Sequence, residues 1–232
     1  MAGDKKLSSP SSKAQIDAFL SQVRNTAPAR SGGGRLIFAL DATASREATW
    51  DHATHLQAQM FQQTAALGSL SIQLCYYRGF GEFHATPWLN NTEQLLQQMT
   101  GVRCLGGHTQ IEKLLRHAIA ETRRQKINAL VFVGDCVEEE VDRLAQLAGE
   151  LGLLGVPLFL FQEGHDPAAT QTFRHLAQLS GGAHCPFDAG SAQQLRDLLS
   201  AVAVYAAGGP AALEDFHQRH GRVLLRLGRK PG

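Results

Sequence analysis

The chain alternates between short apolar runs and longer segments in which apolar residues recur every three or four positions. The clearest apolar runs cover residues 36–40, 129–133 and 156–161. Runs of this length are typical of buried strands, and the spacing in the intervening segments is typical of helices. Uniformly apolar strands separated by helices indicate a parallel sheet that is covered on both faces.

The full pattern predicts about six strands flanked by helices. Strands are predicted over 36–40, 71–77, 82–85, 129–133, 156–161 and 184–187, and helices over 46–67, 92–99, from Ile111 onward, 138–153, 167–179 and 191–206. The turn Gly79-Phe80-Gly81 joins the second and third strands as a hairpin, which predicts one antiparallel edge strand. We therefore expect an α/β fold with a doubly wound, mostly parallel, Rossmann-like sheet.

Two segments flank this pattern. Residues 1–34 are predicted to form a helical arm, with Ile16, Phe19, Leu20 and Val23 on one helix face, followed by a glycine-rich linker. Residues 35–207 form the predicted domain, and residues 208–232 form a basic tail. The tail can either bind a partner or acidic surface or pack as a closing element of the domain.

The charge and cysteine content of the chain bear on its partners and on its cell compartment. With 22 basic and 21 acidic residues the net charge is +1, so a general nucleic-acid or membrane surface is not indicated. No apolar run approaches the length of a membrane span, and no apolar signal segment follows the first lysines. The four cysteines contain no C-x-x-C pair. We expect a soluble, cytoplasmic protein with free thiols.

Oxygen-bearing side chains follow two of the predicted strands. Asp41, Thr43 and Ser45 come directly after the first strand, Asp135 follows the strand over 129–133, and Thr109 opens a helix between them. Ligands collect beyond the carboxyl ends of strands in open α/β sheets, so the five residues should share one edge. Two carboxylates and three hydroxyls suit a Mg²⁺ ion, with water in any remaining position.

These residues resemble the metal-ion-dependent adhesion site of von Willebrand factor A (VWA) domains. That motif is similar to Asp41-x-Thr43-x-Ser45, a threonine in a glycine-rich loop, here Thr109, and an aspartate after the next core strand, here Asp135. Thr43 departs from the serine that is usual in the family but keeps the hydroxyl. The stretches 78–82 and 161–166 resemble uncharacterised bacterial cytoplasmic VWA proteins.

The resemblance implies a binding module and not a catalyst. In that mode a protein partner places an Asp or Glu carboxylate on an open position of the bound Mg²⁺, with Mn²⁺ as an alternative ion. Such a module is expected to work in a cytoplasmic bacterial complex. A scaffold whose metal site is vestigial is a further alternative.

Helix capping is the competing structural role of the same side chains. Thr109 and Asp135 each have a glutamate three residues later, which is the spacing of a capping box, and Ser45 precedes a predicted helix. Capping leaves Asp41 and Thr43 unexplained. Metal binding is therefore the preferred interpretation of the set.

Side chains near the predicted metal site offer two alternatives, a catalytic site and a zinc site. A Mg²⁺-dependent hydrolase would draw on loop residues His108, Glu163, His165 and Asp166. The sequence has no G-x-S-x-G, Walker or G-x-G-x-x-G motif in a matching context, so no catalytic residue is assigned. A zinc site would combine Cys104, Cys136 and His108, although no zinc-type spacing is present.

Overall fold

The computed structural model of the chain describes residues 18–23, 34–46, 70–187 and 200–207. Its strands are β1 (Arg35–Asp41), β2 (Ser71–Arg78), β3 (Glu82–Ala85), β4 (Ala129–Gly134), β5 (Leu158–Glu163) and β6 (Ala183–Phe187). Its helices are α1 (Thr92–Thr100), α2 (Ile111–Arg124), α3 (Val141–Leu153) and α4 (Pro167–Ser180), together with a short 3₁₀ turn at Ala44–Arg46. Residues 18–23 and 200–207 are also helical.

The described strands form one six-stranded sheet in the order β3-β2-β1-β4-β5-β6. All neighbouring pairs are parallel except β2 and β3, which are antiparallel. Phe38 in β1 lies in register with Leu74 of β2 and Val131 of β4. The predicted fold class, including the antiparallel edge strand, is confirmed.

The sheet is buried on both faces, which explains why residues 36–40 of β1 and 129–133 of β4 are all apolar. In β1, Leu36, Phe38 and Leu40 belong to one core cluster, which also contains residues of α1 and of the helical segments 18–23 and 200–207. Ile37 and Ala39 belong to the other cluster, with the apolar faces of α2, α3 and α4. Burial at this scale is the main favourable term that holds the layers together.

Aromatic rings join the N-terminal helical segment to the sheet. The Phe19 ring lies 6.1 Å from the Phe159 ring and 5.3 Å from the Phe161 ring, and Val23 is fully buried. From the other end of the chain, Tyr205 contacts Phe159 at 6.0 Å in a T-shaped arrangement. Two distant parts of the sequence thus cover the same face of β5.

Two elements begin at least two residues later than predicted, whereas β1 and β6 each begin one residue earlier. Helix α3 begins at Val141 and not at residue 138, because Glu138 and Glu139 bind the loop and helix across from them instead of entering α3. Strand β5 begins at Leu158 and not at residue 156. The backbone of Val156 is still bonded to Leu151 at the end of α3, and Pro157 cannot donate to the ladder.

Several predictions lie outside the described residues. These are most of the helix over 46–67, the start of the helix over 191–206, the glycine-rich linker and the basic tail. The division into arm, domain and tail stays a prediction. Within the described ranges no helix is long and apolar enough to cross a membrane. None of the four cysteines forms a disulfide.

Candidate metal centre

The predicted site lies where the order of the strands reverses. Asp41 is the last residue of β1, and Asp135 follows the last residue of β4, which is the parallel neighbour of β1. From β1 the chain first moves outward to β2 and later returns to the other side of β1 as β4. Loops diverge at such a point and leave a crevice at the carboxyl edge of the sheet.

Asp41 is fully buried and both of its carboxylate oxygens accept hydrogen bonds. Oδ1 accepts from the backbone N–H of Thr43 at 2.8 Å, and Oδ2 accepts from the hydroxyl of Tyr77 at 2.9 Å. Burial raises the pKa of Asp41 above its usual value, and the nearby Asp135 carboxyl acts in the same direction. Since each oxygen has a second lone pair, the carboxylate can still bind a cation.

Asp135 places a second carboxylate beside the first. Carboxylate oxygens of Asp41 and Asp135 and the sulfur of Cys136 all lie within 4.8 Å of one another. Asp135 Oδ1 is buried and has no hydrogen-bond partner among the described residues. A buried oxygen that lacks a donor, next to a second buried carboxylate, is costly unless a cation or water binds it.

Thr43 and Ser45 project from the turn that follows β1. The Thr43 hydroxyl is buried and lies 3.1 Å from the Ser45 hydroxyl, which is on an exposed residue. The turn is held by a backbone bond from Arg46 to Thr43 at 3.1 Å. Thr43 also forms a bridge with Leu105, so this turn contacts the glycine-rich loop.

Thr109 is bound to the loop that carries Asp135. Its N–H donates to Glu138 Oε2 at 2.9 Å, and its hydroxyl accepts from the Glu138 N–H at 3.1 Å. Helix α2 begins at Ile111, with Gln110 at the N-cap position and no side-chain cap from Thr109. The capping-box alternatives for Thr109 and Asp135 are therefore wrong, since Asp135 also lies well before the start of α3.

Glu139 caps α2 from outside the helix. Its carboxylate accepts from the N–H groups of Ile111 at 2.7 Å and Glu112 at 2.8 Å. A carboxylate at this position satisfies free N–H groups and complements the positive end of the helix dipole. The reciprocal bonds of Glu138 and the cap from Glu139 hold the glycine-rich loop against the loop after β4.

Cys136 is the member of the centre that the metal motif did not include. Burial, the carboxylates of Asp135 and Asp41, and a hydrogen bond to Asp135 together raise the pKa of Cys136 to about 12. Its neighbours in the alternative zinc prediction, Cys104 and His108, are not part of this ligand cluster within the described residues. The His108 ring instead contacts Glu138, 3.4 Å from its carboxylate.

The tip of the β2–β3 hairpin packs against the glycine-rich loop that carries Thr109. Gly107 packs so closely on Gly79 that a side chain at position 107 would overlap the Gly79 carbonyl. Gln110 donates to that same carbonyl at 3.3 Å. The Phe80 ring is 83% exposed and contacts the His108 ring edge-on at 5.4 Å. The hairpin tip thus exposes the aromatic ring of Phe80 to solvent, beside the loop that carries Thr109.

Three residues at this edge were not predicted to belong to the site with the two aspartates. They are Tyr77, Cys136 and Arg46. The side chain of Arg46 lies under the loops. Tyr77 is an inward-facing strand residue, and only its register with Asp41 in the parallel pair identifies it as a partner. Cys136 is adjacent in sequence to Asp135, so its proximity was predictable. Arg46 falls at the start of a predicted helix and carried no signal of its burial.

The donor set fits a divalent cation. Two carboxylates lie together, one of them with a buried oxygen that lacks a partner, and hydroxyls follow on the same turn. Asp41 and Asp135 would hold the ion directly or through water, and the predicted ligands Thr43, Ser45 and Thr109 would supply neutral oxygens. A bound cation would remove the repulsion between the carboxylates and polarise whatever oxygen completes its shell.

Neither the protein-family models nor the curated proteins contain a match to this chain. Solved structures do resemble it. The VWA domain of SpRpn10 aligns with a TM-score of 0.58 at 11% identity, over 77% of this chain and 98% of that one. A von Willebrand factor type A protein from Catenulispora acidiphila aligns with a TM-score of 0.60 at 13% identity, over 76% of this chain and 44% of that one.

A third solved structure, an aerotolerance-related membrane protein from Bacteroides fragilis, aligns with a TM-score of 0.56 at 14% identity, over 71% of this chain and 97% of that one. At such identities the likeness concerns the path of the backbone and not the chemistry of the site. The strand order of this chain and its antiparallel edge strand agree with this likeness. The chain therefore has the fold of von Willebrand factor A domains.

Proposed function

We propose that this protein is a Mg²⁺-dependent protein-binding module whose partner places an Asp or Glu carboxylate on the metal held by Asp41 and Asp135. The observation that carries the proposal is the approach of these two carboxylates, one fully buried and the other with a buried oxygen that lacks a partner. Thr43, Ser45 and Thr109 complete the ligand set, directly or through water. Mn²⁺, with similar ligand preferences, would substitute.

The charge around the two aspartates supports a metal-dependent mode. Glu138 and Glu139 lie on the same loop as Asp135, and Arg46, a buried cation at this edge of the sheet, is ion-paired with Glu163. A partner carboxylate would meet net negative charge here unless a divalent ion were bound. The ion therefore supplies the attraction, and capture of the partner depends on it.

The test compares capture of partners from a lysate by the immobilised chain in Mg²⁺ and in chelator. The proteins retained only with Mg²⁺ are identified and their binding is repeated with purified material. Asp41→Ala and Thr109→Ala should abolish the Mg²⁺-dependent fraction while the circular dichroism spectrum stays unchanged. Undiminished capture by either variant would refute the proposal.

The surrounding cell compartment is part of the proposal. Four cysteines without a disulfide suit a reducing compartment, which supports the cytoplasm as the place of the module. That it works in a bacterial complex rests on the resemblance of stretches 78–82 and 161–166. Fractionation of cells that express the chain at native level, with immunoblotting, tests this placement. Recovery in an oxidising or membrane fraction would contradict it.

The alternative of a Mg²⁺-dependent hydrolase has weaker support. Glu163 is held in an ion pair with Arg46, and Asp166 caps α4 by accepting from Ala169 at 2.6 Å. A carboxylate committed to such contacts is a poor general base. A panel of phosphoester and peptide substrates with Mg²⁺ separates the two functions, since turnover that is lost in Asp41→Ala without any stable partner favours the enzyme.

A further inference from the structure

The sulfur of Cys136 lies in the same cluster as the two carboxylates. Each of the three residues contributes one ligand atom, and the three atoms lie within 4.8 Å of one another. Within the described residues this is the one group of three such ligands. Asp41 approaches from the end of β1, whereas Asp135 and Cys136 approach from the loop after β4, so two rigid strands position the cluster.

A thiolate changes which metal such a site prefers. Mg²⁺ takes oxygen ligands almost without exception, whereas Zn²⁺ and Co²⁺ bind thiolate and carboxylate together. We propose that Cys136 coordinates the metal with Asp41 and Asp135, so that the site prefers Zn²⁺, or a similar borderline divalent ion, to Mg²⁺. The inference rests on the metal centre of the proposed function and changes the identity of its ion.

The geometry is compatible with coordination by all three residues. Zinc–oxygen and zinc–sulfur bonds of about 2.0 and 2.3 Å put the ligand atoms of a tetrahedral site roughly 3.5 Å apart. The observed separations of at most 4.8 Å are within reach of side-chain rotation. On binding, the Cys136 thiol loses its proton to solvent and the sulfur–metal bond forms, with no change of oxidation state.

Three protein ligands leave the fourth position of a tetrahedral ion open. Zinc sites with three protein ligands hold an exchangeable water or a substrate group there. In this protein the open position would accept the partner carboxylate. With Zn²⁺ bound, the buried Asp135 Oδ1 has the cation as its partner. The hydroxyls of Thr43 and Ser45, 3.1 Å apart, then bond to each other instead of completing the shell as they would around Mg²⁺.

Metal titrations of the full chain test the assignment. The protein is stripped with chelator, dialysed, and titrated calorimetrically with Zn²⁺, Co²⁺ and Mg²⁺. The Co²⁺ complex is also recorded by absorption, because a cobalt–thiolate bond gives a near-ultraviolet charge-transfer band that oxygen ligands do not. The variants are Cys136→Ser, Asp41→Ala and, as matched control, Cys104→Ser, a half-buried cysteine outside the cluster.

We expect the wild type and Cys104→Ser to show the band and to bind Zn²⁺ more than about tenfold more tightly than Mg²⁺. Cys136→Ser should lose the band and bind Zn²⁺ less tightly than the wild type, but keep its Mg²⁺ affinity. A wild-type Co²⁺ complex without the band overturns the inference, whether or not the variants fold. Mg²⁺ binding that Asp41→Ala abolishes would then still support the oxygen-ligand site, whereas metal binding unaffected by Asp41→Ala overturns both proposals.

Discussion

Arg46 and Glu163 form a buried ion pair beneath the metal centre, with Nε of the arginine 2.9 Å from Oε2 of the glutamate. Their side chains are 1% and 13% exposed. The same guanidinium donates to the backbone carbonyls of Asp41 at 2.9 Å and Val133 at 3.3 Å. One side chain thus connects the carboxyl ends of β1, β4 and β5, the strands that bear the site.

Removal of the Arg46 charge should destabilise the protein strongly. Arg46→Met leaves Glu163 as a buried carboxylate without its cation, and two strand-end carbonyls lose a donor. We expect a loss of about 3 kcal/mol in the free energy of unfolding, measured by urea denaturation. The control is Arg123→Met, which breaks an ion pair with Glu150 on the surface and should cost less than about 1 kcal/mol. Equal losses would contradict the structural role of Arg46.

Gly107 should not tolerate a side chain, whereas the neighbouring Gly106 should tolerate one. In Gly107→Ala the added methyl overlaps the Gly79 carbonyl, so the hairpin tip and the loop with Thr109 must separate. We expect a loss of about 1–3 kcal/mol in stability together with weaker metal binding. Gly106→Ala meets no atom within 4 Å and is the matched control. Thermal unfolding with and without added metal measures both effects.

Much of the fold was predictable because burial leaves a periodic signal. Residues 36–40 of β1 and 129–133 of β4 are all apolar since both faces of the sheet are covered, and α2 carries its apolar residues on one side. The hairpin was predictable from Gly79 and Gly81, which both adopt positive φ. Asp41 and Asp135 were predictable because parallel neighbours bring their carboxyl ends to one edge.

Contacts between loops carry no comparable signal. Glu138 and Glu139 match the first turn of a helix by spacing, yet their carboxylates bind Thr109 and the start of α2. A one-dimensional pattern does not distinguish a local cap from one supplied 28 residues away. For the same reason the burial of Arg46, which depends on Glu163 and three strand ends, was not apparent.

Phe80 should contribute to partner binding without affecting the metal. Its ring is 83% exposed beside His108, and a large exposed aromatic side chain next to a binding centre is a common anchor for a partner. Phe80→Ala should weaken Mg²⁺-dependent capture about tenfold or more and leave metal affinity unchanged. Leu153→Ala is the control, because Leu153 is 93% exposed at the opposite edge of the sheet. Capture unchanged in Phe80→Ala would remove the hairpin tip from the interface.

His184 should make stability depend on pH in a defined window. Burial, with a smaller contribution from the Arg174 charge, lowers the pKa of His184 to about 4. The unfolded chain takes up this proton near pH 6.5, so the contribution is complete above about pH 6.5 and is lost as pH falls towards 4. The loss amounts to at most about 3 kcal/mol.

Chemical denaturation at pH 7 and pH 5 measures this effect. His184→Gln retains a donor for Gln162 Oε1, which the histidine ring meets at 3.0 Å, but cannot titrate. The difference in stability between the two pH values should shrink in this variant. His175→Gln, at an exposed position on α4, should leave the difference unchanged. If His184→Gln shows the same difference in stability between pH 7 and pH 5 as the wild type, the pH dependence belongs to other groups.

Asp135→Asn should stabilise the metal-free protein and abolish its response to metal. The amide has the shape of the carboxylate but no charge, so the repulsion with buried Asp41 disappears, and its NH₂ group can donate within the cluster. In chelator we expect a gain of about 1 kcal/mol. In wild type, metal at about 100 times its dissociation constant adds about 2.7 kcal/mol, and the variant should lack this increment. Asp142→Asn, an exposed aspartate in the first turn of α3, should keep it. The contrary outcome is an Asp135→Asn variant that is less stable than wild type in chelator and is still stabilised by metal. In that case Asp135 is a structural hydrogen-bond acceptor and not a ligand.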